Sequence, residues 1–237
     1  CLSDWSSDVC LPIFPWREDT AAYRVWVSEI MLQQTRVEAV KPFFERFIKA
    51  LPDVQALSEA PEDELLKLWE GLGYYNRVRN MQKAARVIVS EYGGDFPADY
   101  EKLLSLPGLG HYTAGAVSSI AFGTPMPAVD GNVLRVLSRV TASYEDVLKQ
   151  SVKTAMEAEV KKIIPADRAG DFNQALIEIG AIVCVPNGKA KCEICPLAFL
   201  CEAYKKGIVD ELPKKKVKRE RRIEDRTDRK STRLNSS

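Results

Sequence analysis

LPGLGHYTAGAVSSIAFGTPMPAVDGN, Leu106 to Asn132, is the stretch from which the fold can be read. It opens on Leu106-Pro107-Gly108-Leu109-Gly110, where two glycines let the backbone turn tightly and pass near another surface with no Cβ in the way. A helical run, Thr113 to Phe122, follows at once. The free amides of a hairpin and a helix start, pointed the same way, make a site for a phosphate oxygen. Val129-Asp130-Gly131-Asn132 then sets a carboxylate at the head of a second amphipathic run, Val133, Leu134, Val136, Leu137 and Val140. Each feature alone also fits plain structure, a helix-helix turn at Gly108 and Gly110 and an N-cap at Asp130. Their weight depends on the rest of the chain.

Upstream, Tyr23 to Leu32 has apolar residues Val25, Trp26 and Ile30 at helical spacing, and Glu29 sits among them before Ile30-Met31-Leu32-Gln33-Gln34-Thr35. A lone Glu beside an apolar run can be just the polar edge of a helix. Apolar neighbours on both sides would instead raise its pKa by desolvation and let it carry a proton near neutral pH. Phe43, Phe44, Phe47 and Ile48 mark the next helix, and Pro61-Glu62-Asp63-Glu64 starts another with proline in the first turn and acids at the positive end of the dipole. Gly71-Leu72-Gly73-Tyr74-Tyr75 is a turn with two aromatics leading into Arg77 to Val89; Tyr100 to Leu104 is a short helix before the hairpin. Beyond Asn132 the periodic segments are Val133 to Val140, Val152 to Ile164 and Phe172 to Val183. No stretch alternates with period two, so the chain is expected to be all-α.

Composition narrows the function classes. The chain has 237 residues, 46% hydrophobic and 28% charged, enough for one large or two small domains. No window approaches a membrane span, and no charged-then-apolar leader marks secretion, so no membrane partner is expected. His111 is the single histidine, which counts against Ser-His-Asp hydrolysis, Cys-His proteolysis and His-rich zinc sites. The net charge of +1 is uneven: Pro213 to Ser237 holds 11 Lys or Arg against 4 Asp or Glu, leaving residues 1–212 near −6. Any contact of the body with nucleic acid must therefore be local, through the amides of Gly108 and Gly110 and the cluster Arg77, Arg79, Lys83, Arg86; that cluster also reads as a solvated helix face.

The strongest chemical signal is Cys184, Cys192, Cys195 and Cys201, spaced C-x7-C-x2-C-x5-C directly after a helix. Four thiolates this close can surround one metal centre. Zinc ribbons usually offer two C-x2-C hooks with a longer loop between them, whereas one C-x2-C flanked by singletons suits a cubane [4Fe-4S] cluster better; tetrathiolate zinc and unligated thiols stay open. Cys1 and Cys10 lack ligand spacing.

Taken in order, PWR, SEIMLQQT, GLGYYNRVRN, LPGLGHYTAGAV, AVDGNVLRV, FNQALIEIGAIVC and the cysteine loop resemble the endonuclease III superfamily of helix-hairpin-helix DNA glycosylases and, within it, the MutY-type adenine DNA glycosylase family. The match covers about residues 15 to 205. Tyr112 is the branch point: the lyase branch has a lysine here whose amine attacks the sugar, and tyrosine cannot form a Schiff base. The resemblance implies a monofunctional hydrolase that removes adenine mispaired with 8-oxoguanine or guanine in double-stranded DNA. It implies that Glu29 protonates the flipped adenine, that Asp130 stays ionised and stabilises an oxocarbenium-like sugar, and that Tyr112 and Asn132 orient them. Trp16, Arg17, Leu32 and Gln174 would line the base pocket. Gln34 and Tyr74 would wedge the duplex, with Arg77, Gly108 and Gly110 also on DNA. A [4Fe-4S] cluster, a monomer and a cytoplasmic, nucleoid-associated location are likewise implied.

The resemblance implies two helical lobes with the site at their seam: residues 30–132 as a six-helix module, and residues 15–29 with 133–205 as the cluster-bearing lobe. Residues 1–14 are uninformative, and residues 206–237 read as a basic linker and disordered tail, with the family's further 8-oxoguanine-reading domain absent. The first cysteine gap is seven residues where the family has six, which a loop is expected to absorb. Two other readings remain: an endonuclease III-like glycosylase/lyase on oxidised pyrimidines, and a non-catalytic helix-hairpin-helix DNA-binding module.

Overall fold

The computed structural model describes residues 19–35 and 37–215. Its helices are α1 (Ala22–Leu32), α2 (Val37–Ala50), α3 (Val54–Glu59), α4 (Glu62–Leu68), α5 (Asn76–Tyr92), α6 (Tyr100–Ser105), α7 (His111–Phe122), α8 (Gly131–Val140), α9 (Gln150–Ile163), α10 (Ala169–Glu178) and α11 (Glu202–Lys205). Among the described residues there is no strand, only an isolated parallel bridge between Asp146 and Lys214, so the chain is all-α. The short helices α3 and α11 have too few residues to show a period, and the sequence alone did not reveal them.

Local rules explain most boundaries. Asp53 and Asp99 cap α3 and α6 by accepting from the amides of Ala56 and Lys102. Glu62, Asp63 and Glu64 fill the first turn of α4 behind Pro61, and Gly93, at φ +66°, ends α5 in the left-handed conformation. In α1, Tyr23 and every residue from Val25 to Met31 are buried, Ser28 and Glu29 included. A helix apolar on nearly all sides belongs inside a domain.

Two main cores result. The first joins α1 to α7, with Trp26, Trp69, Phe44 and Phe47 fully buried; each such side chain contributes about 1.5–3 kcal/mol through removal from water. The second gathers Val133 and Val136 of α8, Val160 of α9, and Leu176, Ile179 and Val183. Tyr23, Val25, Trp26 and Val27 belong to the first core, so α1 packs with the six-helix module rather than with the cysteine-bearing segment.

After α10 the chain widens into a π-helical turn, Ile179–Val183, that ends at Cys184. Such turns are rare and recur at functional sites. Gly180 lies against α8: a Cβ there would sit 2.6 Å from Asn132 Cβ.

Candidate active site

Between the two cores lies a cleft of about 190 Å³ lined by Glu29, Leu32, Tyr112, Asp130, Asn132 and Gln174. These residues come from α1, the start of α7, the head of α8 and α10, so the interface of the two cores brings together what the sequence holds far apart. Glu29 is 9% exposed, and its Oε2 accepts from the Tyr112 hydroxyl at 2.5 Å. A phenol donating to a buried carboxyl restricts its rotamer, and the residue lines the cleft.

Asp130 is held differently. It caps α8, with Oδ1 accepting from the amides of Asn132 and Val133 at 2.8 Å each and Oδ2 from Asn132 Nδ2 at 2.8 Å. Burial pushes its carboxyl above the usual carboxylate range, while these three donors and nearby Arg135 pull the other way. The N-cap reading of Asp130 thus holds, and the capping residue also lines the cleft. The preceding segment is pinned by buried Asn173, whose Oδ1 accepts from Ala128 N at 3.0 Å and whose Nδ2 donates to Met126 O and Ser119 Oγ at 2.8 Å.

Asn132 also connects to the cysteine loop. Arg135 Nη2 donates to Asn132 Oδ1 at 2.9 Å and Gly180 O at 2.7 Å, and its Nε to Cys184 O at 2.7 Å. Arg139 Nη1 donates to Cys184 Sγ at 3.1 Å, and its Nε to Leu212 O at 2.9 Å. All four cysteines of the motif line one cavity walled by Val136, Val140, Ile179, Val183 and Leu197. Burial, with the neighbouring sulfurs, pushes the Cys192 and Cys195 thiols up. Among the described residues, no three His, Cys, Asp or Glu side chains converge closely enough to hold a single metal ion. The long first gap is closed by Lys191 N donating to Val183 O at 3.0 Å.

The expected DNA-facing residues divide. Gly108 turns the hairpin at φ +81°, and a Cβ there would meet Asn80 Cβ at 2.7 Å, so both reasons for glycine apply. Gly110 has ordinary extended φ and nothing within 4 Å, so neither the turn nor the packing requires glycine there; its free side faces outward. Gln34 and Tyr74 are exposed, Tyr74 at 66%. Arg77 departs from expectation: its terminal nitrogens turn inward onto the carbonyls of Ile30, Met31, Gln33, Leu72 and Gly73. Arg79 pairs with Glu62 and Arg86 Nε bonds Ser58 O, so the arginines of α5 do not form one free basic face. Trp16 and Arg17 lie outside the described residues.

Residues not singled out from sequence also meet here. Glu178 is 8% exposed and lines the cleft one turn beyond Gln174, a relation that i, i+4 spacing could have disclosed. Arg135 and Arg139 sit on the apolar face of α8, and a basic residue on a buried stripe is itself a signal of satisfied internal acceptors.

The chain is similar to known proteins over most of its length. A family profile described as "HhH-GPD superfamily base excision DNA repair protein" matches residues 27–165. An adenine DNA glycosylase of Buchnera aphidicola subsp. Schizaphis graminum is 39% identical over 205 residues, covering 86% of this chain and 59% of the relative. That of Mus musculus is 45% identical over 201 residues, covering 81% of this chain and 39% of the relative. The chain thus spans less than two thirds of the length of these relatives. Among solved structures, a thermostable thymine-DNA glycosylase superposes with TM-score 0.74 at 31% identity, covering 86% of this chain and 93% of that one. A non-covalent endonuclease III-DNA complex gives 0.68 at 29% identity, covering 79% and 86%.

Proposed function

The chain belongs to the HhH-GPD superfamily of base excision DNA repair proteins, and on that footing we propose that it hydrolyses the N-glycosidic bond of adenine mispaired with 8-oxoguanine or guanine in DNA. The observation that carries the reading is the shared cleft: a buried Glu29 held by Tyr112, and an Asp130 held by amides, line the same space. Glycosidic cleavage asks for such a pair, one carboxyl to deliver a proton and one carboxylate to face developing positive charge.

The base leaves the stack and enters the cleft between Leu32 and Gln174, with Trp16 and Arg17 added by resemblance. Glu29 gives its proton to N7 of the adenine as the C1′–N9 bond breaks and the bonding electrons pass to the base. The Asp130 carboxylate stabilises the resulting sugar cation, and Asn132 Nδ2 keeps that oxygen aimed. Water adds at C1′ and returns a proton to Glu29. Tyr112 has no amine, so the sugar is not captured as a Schiff base. The hairpin at Gly108 and Gly110 offers amides to a phosphate, while exposed Gln34 and Tyr74 enter the stack beside the opposing purine.

Cys184, Cys192, Cys195 and Cys201 would hold a [4Fe-4S] cluster, which would tie the loop into the second core. Four thiols around one cavity, with the C-x2-C spacing flanked by single cysteines, support a multi-atom centre over tetrathiolate zinc.

The test is single-turnover adenine release from a duplex carrying adenine opposite 8-oxoguanine, with borohydride present in a parallel arm. Free adenine without a trapped protein-DNA adduct is expected. A trapped adduct would move the assignment to the lyase reading, and thymine release from a T:G duplex in place of adenine would move it to a pyrimidine mismatch. Mismatch binding with no base released would leave only the binding module.

A further inference from the structure

The resemblance puts Arg77 on DNA, yet its guanidinium bonds inside the protein. From the first turn of α5, Nη1 donates to the carbonyls of Ile30, Met31 and Gln33 at 2.8, 3.3 and 2.7 Å. Nη2 donates to Leu72 and Gly73 at 3.1 and 3.3 Å. The first group is the open carboxy-terminal end of α1, where helix carbonyls lack partners of their own. The second is the turn before α5. One planar fork therefore closes two segments distant in the chain.

Immediately after each set of acceptors comes a non-glycine residue in the left-handed region: Gln34 at φ +59° and Tyr74 at φ +48°. L-residues adopt this conformation only when their surroundings impose it, and such strain collects at functional positions. Both residues are exposed, and Tyr74 leaves a large ring 66% in solvent with the guanidinium 5.6 Å from its centroid. Gln33, Asn76, Arg77 and Gly108 border one cavity, so residues adjoining the two turns and the hairpin lie round a common space.

We propose that Arg77 is a positioning residue: a latch that fixes the spacing of Gln34 and Tyr74, so that the two enter the base stack as one rigid wedge at the mismatch. The inference rests on the reading above that these two side chains meet DNA, and it adds what holds them. A pre-set wedge loses less freedom on binding than two independent loops. Lysine cannot replace the latch, because a single ammonium cannot span the two carbonyl groups that a planar guanidinium bridges.

The test is a double-mutant cycle on affinity for a duplex carrying adenine opposite 8-oxoguanine. Arg77→Lys is expected to weaken binding about tenfold in the wild-type background, and less than about twofold in a Gln34→Ala/Tyr74→Ala background, where nothing is left to position. Equal losses in both backgrounds would show that Arg77 acts elsewhere and overturn the latch alone. Undiminished affinity in the Gln34→Ala/Tyr74→Ala chain would overturn the wedge reading beneath it. Should Arg77→Lys not fold, hydrogen exchange on the wild-type chain serves instead. Amides 33 to 35 and 72 to 74 are expected to open as one unit with a common protection factor, and separate opening rates would overturn the proposal.

Discussion

The Tyr112 hydroxyl donates to Glu29 Oε2 across 2.5 Å, joining the first turn of α7 to the middle of α1. A hydrogen bond to an ionisable group of this kind contributes about 1.5–3 kcal/mol. Tyr112→Phe keeps the ring and removes only the donor, so adenine release under single-turnover conditions should slow roughly ten- to a hundredfold. Glu29→Gln removes the acid itself and should abolish release while mismatch binding, followed by gel shift, stays largely intact. Wild-type turnover by Glu29→Gln would remove Glu29 from the acid role.

In the proposed mechanism Asp130 sets function against stability. Its raised pKa means that the folded chain takes up a proton more readily than the unfolded one. Stability is therefore full below the ordinary carboxylate value of about 3.9, falls as pH rises toward the folded value, and stays lower above it. Asparagine caps a helix about as well as aspartate and carries no buried charge. Asp130→Asn should thus melt at or above the wild-type temperature at pH 7, with the gap closing on acidification, while adenine release is lost. The same shift puts the acid limb of kcat/KM above the ordinary carboxylate range. A lower melting temperature for Asp130→Asn at pH 7 with the gap unchanged at pH 4 would contradict the assignment.

Much of this was legible before the structure. The alternation of apolar residues at helical spacing gave α1, α2 and α4 to α10 and the all-α class, because burial of one stripe is a local property of sequence. Glu29, Tyr112, Asp130 and Asn132 stand in short, ordered motifs, and the cleft they share depends only on the two cores meeting at α1, α7, α8 and α10. What stayed hidden has a common cause. Arg77, Arg135 and Arg139 are long cations whose partners are backbone carbonyls remote in sequence, and a carbonyl leaves no mark in the amino-acid string. The charge cluster Arg77, Arg79, Lys83 and Arg86 therefore reads in sequence as an outward, DNA-facing or solvated helix face. The π-helical turn at Ile179–Val183 was equally invisible, since it reads as a continuation of α10.

Gly180 offers a steric test of that turn. A Cβ there would lie 2.6 Å from Asn132 Cβ and 2.9 Å from its backbone C and O, none of which is a flexible end that could swing away. Gly180→Ala should destabilise the chain by roughly 1–3 kcal/mol and lower activity by displacing Asn132 from Asp130. Gly131→Ala is the matched control for stability, because its Cβ meets nothing within 4 Å and its φ is not in the left-handed region. It should melt within about 1 kcal/mol of wild type. Equal melting of the two variants, read by circular dichroism, would mean that α8 and the π turn do not press together as described.

The cysteine cavity makes the last prediction quantitative. Protein purified without oxygen should carry about four iron and four sulfide per chain with visible absorption from thiolate-iron charge transfer, and Cys184, Cys192, Cys195 and Cys201 should resist alkylation until the cluster is removed. One zinc per chain and a colourless protein would overturn the cluster. Its removal should also reach the cleft by a path that can be named. Cys184 O accepts from Arg135 Nε, and Arg135 Nη2 donates to Asn132 Oδ1, whose amide nitrogen donates to Asp130. If the loop loosens, this path loses its anchor, so adenine release should fall in step with iron content. Arg135→Gln, which keeps the cysteines but removes the guanidinium, should slow release at full iron occupancy, because the path is cut beyond the metal. A variant with normal iron and normal release would show that the cavity and the cleft are independent, and that the loop serves only to hold the second core together.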